Sequence, residues 1–168
     1  MGRAVLGKME TGDIHMGTTK QATILVADDD ADDRMMIKDA CDDVGLESDL
    51  EFVVDGEELL DYLRGEGAFT HRAGKPFHGI VLLDLNMPKK DGREALREIK
   101  ADPQLKRIPV VILTTSVADE DISKAYKLGV SSYITKPVTF DGLIDVVRSL
   151  KDYWLQIVTI PKDNTVTD

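Results

Sequence analysis

The chain has 168 residues, enough for one domain around a single core, and its 42% hydrophobic and 31% charged composition excludes a disordered polymer. A formal net charge of -10 repels phosphate backbones, so DNA is not an expected partner. The lone cysteine, Cys41, excludes an internal disulfide and a Cys-based zinc site; no run approaches the roughly 18 apolar residues of a membrane span. With no apolar leader core at the N-terminus either, a cytoplasmic protein without a membrane partner is expected.

Residues 1–21 show no sustained periodicity and read as a flexible extension. Apolar runs follow at 23–27 (TILVA), 50–54, 79–83 (GIVLL), 109–113 (PVVIL) and 131–134, and runs apolar on both faces suit parallel strands covered by helices. Between them helical stripes are spaced over 31–44 (Met36, Ile37, Ala40, Cys41, Val44), 56–64 (Leu59, Leu60, Leu63) and 92–101 (Ala95, Leu96, Ile99). Two more cover 118–128 (Ile122, Ala125, Tyr126) and 140–151 (Leu143, Ile144, Val147). Gly45, Asp102-Pro103 and Gly129 are stop signals. Strands alternating with helices predict an α/β, doubly wound parallel sheet of flavodoxin-like (βα)5 type, strand order 2-1-3-4-5. The domain is expected over 22–152, with a C-terminal tail at 153–168.

In that order, ligands bind beyond the carboxyl ends of the strands where the chain reverses direction. The first strand ends in Asp28-Asp29, the third in Asp84, the fourth in Thr114, and the fifth leads to Lys136. Three carboxylates in one pocket must take up protons or bind a cation, and an all-oxygen donor set favours Mg²⁺. Such an ion would draw in a phosphoryl group, with Lys136 adding positive charge and Thr114 a hydrogen bond. Asp84 is then placed to accept the phosphoryl group as an acyl phosphate. The same acidic run, ADDDADDR, continues into Asp30, placed to cap the next helix, and into Asp32 and Asp33, suited to its first turn.

Asp28-Asp29, VLLDLNMPKKDG, VVILTTS and YITKP, in this order and spacing over about 22–152, resemble the receiver domains of two-component response regulators. The resemblance implies Mg²⁺-dependent phosphorylation of Asp84 by a sensor histidine kinase or phosphotransfer protein, with slow self-dephosphorylation and no turnover of external substrates. Mn²⁺ can stand in for Mg²⁺. It further implies that Asp29 binds the ion directly, that Asp28 assists, and that the backbone carbonyl of Asn86 is a ligand. Thr114 and Lys136 would contact the phosphoryl group, and Lys136-Pro137 would be a cis peptide. Thr114 and Tyr133 would form the switch, and Asn86 and Ser116 would tune the acyl phosphate's lifetime. A long 64–79 link and the DYWLQIVTIP tail are similar to single-domain regulators paired with bacterial phytochrome-type kinases. For the apolar tail residues Trp154, Leu155, Ile157, Val158 and Ile160 there are two readings. They pack back onto the domain, or they join a homodimer across the fourth helix, fifth strand and fifth helix.

Only 17 residues follow Lys151, so no output domain is expected. A haloacid-dehalogenase-type phosphatase would need an acid where Asn86 stands, and a flavin-phosphate site would face five repelling aspartates. An EF-hand fitted to Asp28, Asp30, Asp32 and Asp39 lacks its glycine and final Glu. A receiver that no longer takes a phosphoryl group, acting as a binding module, is the remaining alternative. His15, His71 and His78 are expected in solvent, Met35, Met36, Cys41 and Trp154 in packing, and Lys89-Lys90 in a solvated turn.

Overall fold

The computed structural model describes residues 22–46 and 49–162. The predicted N-terminal extension, with His15, lies outside them. Five parallel strands, β1 Thr23–Ala27, β2 Asp49–Val53, β3 Gly79–Leu83, β4 Val110–Thr114 and β5 Ser132–Thr135, form one sheet. Their order is β2-β1-β3-β4-β5, as expected. The helices are α1 Ala31–Asp43, α2 Gly56–Arg64, α3 Gly92–Ala101, α4 Asp119–Leu128 and α5 Phe140–Leu150, with a 3₁₀ turn at Gly67–Arg72 in the long link before β3.

Burial follows position in the sheet. Every residue of β3 and β4 is buried, while the edge strands β2 and β5 are partly open. Because successive strand side chains point to opposite faces, the apolar runs divide between two cores. Leu25, Val81, Leu83 and Ile112 face one way and pack with Leu59, Leu63, Leu96, Ile99 and Ala125 of α2, α3 and α4. Ile24, Val26, Leu82 and Val111 face the other way, against Ile37, Ala40 and Cys41 of α1 and Leu143 and Val147 of α5. Burial pushes the Cys41 thiol up to about 11, so it packs as an unreactive apolar group.

Some expected stripes are narrower than predicted. Met35 and Met36 are exposed on α1, whose inward residues are Ile37, Ala40 and Cys41. Tyr126 of α4 is also exposed. Its hydroxyl accepts the Tyr133 N–H at 3.2 Å, so a side chain satisfies a donor on the open side of edge strand β5. The C-terminal residues pack back onto the domain, the first of the two readings. From α5 the chain continues into a π-helical segment, Lys151–Ile157. Trp154, Leu155 and Val158 then pack against the α1/α5 core, and Ile160 is buried there. His78, expected in solvent, helps fasten this segment: its Nδ1 lies 3.0 Å from the Pro161 carbonyl. Among the described residues no helix is long and apolar enough to cross a membrane.

Candidate functional site

Pairing of Ala27 with Leu83 brings the next residue of each strand, Asp28 and Asp84, side by side, and the Asp84 N–H donates to the Ala27 carbonyl at 3.0 Å. Thr114 closes β4, and the Lys136 N–H donates to its carbonyl at 2.8 Å. Three strand ends therefore deliver Asp28, Asp84 and Thr114, all buried, to one rim, and Lys136 enters from β5. The turn beyond Asp84 folds back closely. A Cβ at Gly92 would meet the Asp84 carbonyl oxygen at 2.1 Å, so glycine there permits the approach of α3.

Around the Asp84 carboxylate, Oδ1 accepts the Thr114 hydroxyl at 2.8 Å and the Asn86 N–H at 3.2 Å, while Lys136 Nζ is 3.0 Å from Oδ2. Lys136 Nζ also reaches Asp28 Oδ2 at 2.8 Å and Asp33 Oδ2 at 2.7 Å. Burial alone would lower the lysine's pKa, but its hydrogen bonds to Asp28, Asp33 and Asp84 outweigh that and hold the ammonium above its usual range. Burial pushes the Asp28 carboxyl up, opposed by Lys136 and by the Asp30 N–H, which donates to Asp28 Oδ1 at 2.9 Å.

Asp28, Asp29 and Asp84 each offer an oxygen within 4.8 Å of the others. Two of these carboxylates are buried and one, Asp29, is exposed, an arrangement that fits a hard divalent ion keeping part of its water shell. Asn86 lies directly beyond on the same loop, and Ser116 stands on the β4–α4 loop. Ser116 Oγ donates to Asp121 Oδ2 at 2.7 Å, while its carbonyl accepts the Tyr133 hydroxyl at 3.0 Å. Tyr133 is half-buried against the α2/α3/α4 core. The cis peptide expected at Lys136-Pro137 does not occur: none is present among the described residues. The trans form is the lower-energy one for an X–Pro bond, by about 0.5–1 kcal/mol, and it already lets Lys136 reach three carboxylates.

Asp30 caps α1 as predicted, accepting from Asp32 N at 2.8 Å and Asp33 N at 3.1 Å. Asp33 was predicted only to favour the helix N-terminus, yet it is the third carboxylate on Lys136. Its spacing carries the missed signal: Asp33 lies one turn before Ile37 and so extends the inward stripe of α1 to the site. A second missed group is Arg93. Its Nε and Nη2 grip both oxygens of Asp121 at 2.7 Å each, and Nη1 turns back to Asp91, 3.0 Å from Oδ2. Hydrogen bonds from Arg93 and then Ser116 hold the Asp121 carboxyl down to about 2. The turn lysines are less free than expected: Lys90 pairs with Glu98, and Lys89 Nζ is 3.8 Å from the buried Asp55 carboxylate.

Two carboxylates at adjacent parallel strand ends, a hydroxyl, and an ammonium held among them define a phosphoryl-receiving class of α/β domain. The chain belongs to the response regulator receiver domain family, which matches residues 24–148. Within it, the chain is similar to response regulator Rcp1 of Synechocystis, 38% identical over 82% of this chain and 92% of the relative. It is 40% identical to the probable methanogenesis regulatory protein FilR2 of Methanothrix harundinacea, over 88% of this chain and 92% of that one. Among solved structures, the phosphorylated cyanobacterial phytochrome response regulator RcpA matches with a TM-score of 0.77 and 40% identity. That match covers 84% of this chain and 99% of that one. The Mn²⁺-bound form of Rcp1 matches with a TM-score of 0.75 and 37% identity, covering 83% and 99%. The chain is thus a two-component receiver, its likeness to phytochrome response regulators supports a histidine kinase as partner, and the phosphatase reading is not favoured.

Proposed function

We propose that Asp84 is the residue phosphorylated, and that the donor is the phosphohistidine of a phytochrome-type sensor kinase. An Asp84 oxygen attacks phosphorus, the P–N bond breaks, and the imidazole leaves with the electron pair. The observation that carries this reading is the convergence of the Thr114 hydroxyl, the Asn86 N–H and Lys136 Nζ on the Asp84 carboxylate. The same donors suit the added oxygens of an acyl phosphate, because each is already aimed at the place where negative charge accumulates. Asp28, Asp29, Asp84 and the Asn86 carbonyl would hold Mg²⁺, or Mn²⁺ as in the related Rcp1 structure. When bound, the ion supplies charge neutralisation at the phosphoryl oxygens. Lys136 balances the acidic cluster otherwise and stays charged throughout.

Thr114 and Tyr133 act as the switch. Here the Thr114 hydroxyl already touches Asp84 and the Tyr133 hydroxyl already reaches the Ser116 carbonyl. Phosphorylation would therefore favour an inward arrangement that the unmodified protein can adopt, a population shift read out on α4, β5 and α5. Tyr126, Tyr153 and Ile157 are exposed on α4 and the C-terminal segment, which favours that surface as a homodimer contact. Incubation with acetyl phosphate and Mg²⁺ tests the chemistry: intact mass should rise by one phosphoryl group, and a chelator should abolish the gain. Labelling that ignores the chelator would refute the metal-dependent reading.

A further inference from the structure

We propose that Arg93 is a positioning residue that lengthens the life of the phosphorylated state by immobilising the two rim side chains beside Asp84; this rests on the reading of Asp84 as acceptor. The acyl phosphate is lost when a water oxygen attacks phosphorus. The bond from phosphorus to the Asp84 oxygen breaks, the carboxylate leaves with the electron pair, and the water proton passes to solvent or inorganic phosphate. A water that crosses this rim passes the loops after β3 and β4, where Asn86 and Ser116 stand two residues beyond Asp84 and Thr114. Either could orient it: Asn86 Oδ1 by accepting its proton, Ser116 Oγ by donating to it or accepting from it.

Each atom already has a partner. Arg93 Nη1 lies 3.3 Å from Asn86 Oδ1. The rest of the guanidinium grips Asp121 in a two-point, charge-assisted pair, and Asp121 Oδ2 in turn takes the Ser116 hydroxyl proton. The Ala118 N–H, 3.3 Å away, fills an acceptor position on Ser116 Oγ. One cation at the start of α3 thus fixes the β3–α3 loop against the start of α4. It holds one rim atom directly and the other through Asp121. Sequence spacing gives no hint of this, since Arg93 and Asp121 are 28 positions apart.

The test follows loss of the phosphoryl group after removal of acetyl phosphate, by intact mass, in wild type, Arg93→Met and Asp121→Asn. Arg93→Met keeps the aliphatic stem and loses all donors. The Arg93–Asn86 hydrogen bond is long, so its loss corresponds to the range of an ordinary hydrogen bond, roughly 2- to 13-fold in rate, and both variants should lose the label faster by about that factor. In an Asn86→Ala background, which keeps the backbone carbonyl, Arg93→Met should accelerate loss less than in wild type, because one of the two atoms it frees is gone and only the route through Asp121 and Ser116 remains. A purely structural role would lower thermal stability equally in both backgrounds and produce no such coupling. Wild-type lifetime in both Arg93→Met and Asp121→Asn, or an undiminished acceleration in the Asn86→Ala background, would overturn the proposal. Failure of the wild type to take any label would instead overturn the reading of Asp84 beneath it.

Discussion

Lys136 shows how one side chain serves two states of the site. It lies among Asp28, Asp33 and Asp84, so the cluster is electrically tolerable without an ion, yet the same ammonium suits a phosphoryl group. Lys136→Met should separate these roles. Labelling should slow by about 100-fold or more, the scale for losing one charge-stabilising donor, while Mg²⁺ still raises the melting temperature. An unchanged labelling rate would remove Lys136 from the chemistry. Asp29→Ala should give the opposite pattern, a reduced Mg²⁺-induced shift, because its exposed carboxylate is a member of the acidic trio. At this scale the sequence revealed which residues sit at the strand ends. It did not reveal that Asp33 completes the lysine's shell, because its acidity already had a sufficient local explanation at the helix N-terminus.

At the scale of elements, the strand and helix boundaries were legible because apolar periods and caps agree with one another. GIVLL is buried on both faces and forms β3, and Asp30 accepts from two first-turn N–H groups of α1. Less legible were features set by packing against neighbours. Met36 satisfies the helical stripe of α1 but stays exposed at the mouth of a small pocket it shares with Leu143 of α5, and Tyr126 is used for its hydroxyl rather than its ring. The sequence sets the C-terminal run apart as a tail from residue 153, yet it continues α5 as a π-helical segment. A close approach dominates the β3–α3 turn, so Gly92→Ala should be severe. A methyl group 2.1 Å from the Asp84 carbonyl oxygen must displace backbone at the proposed acceptor. Loss of labelling accompanied by lowered thermal stability is expected, and a normal labelling rate would show that the loop relaxes freely.

For the whole molecule, two properties follow from contacts that tie distant parts together. The Asp121 carboxyl is held down to about 2 by Arg93 and Ser116, from an ordinary value of 3.8. A depressed folded-state value adds stability that is fully present above the unfolded-state value and disappears as pH falls through the folded-state one. The stability gap between wild type and Asp121→Asn should therefore close between about pH 4 and pH 2 in denaturant titrations, and a gap constant across that range would deny the linkage. The C-terminal segment is the second tie. Ile160 is buried against the α1/α5 core, so Ile160→Ala should cost about 2–4 kcal/mol. Ile157 is exposed on the same segment, so Ile157→Asp should leave stability intact and lower any dimer fraction measured by light scattering. Dimer content unchanged by that substitution would take the segment out of the interface.

The central claim is that Asp84 carries the phosphoryl group, and the most direct measurement is its location. Borohydride converts an aspartyl phosphate to homoserine, which peptide mass mapping can place. After acetyl phosphate and Mg²⁺ treatment, homoserine is predicted at position 84 and nowhere else, and Asp84→Asn should yield none. Homoserine at Asp28 or Asp29 instead, or undiminished label in Asp84→Asn, would contradict the account.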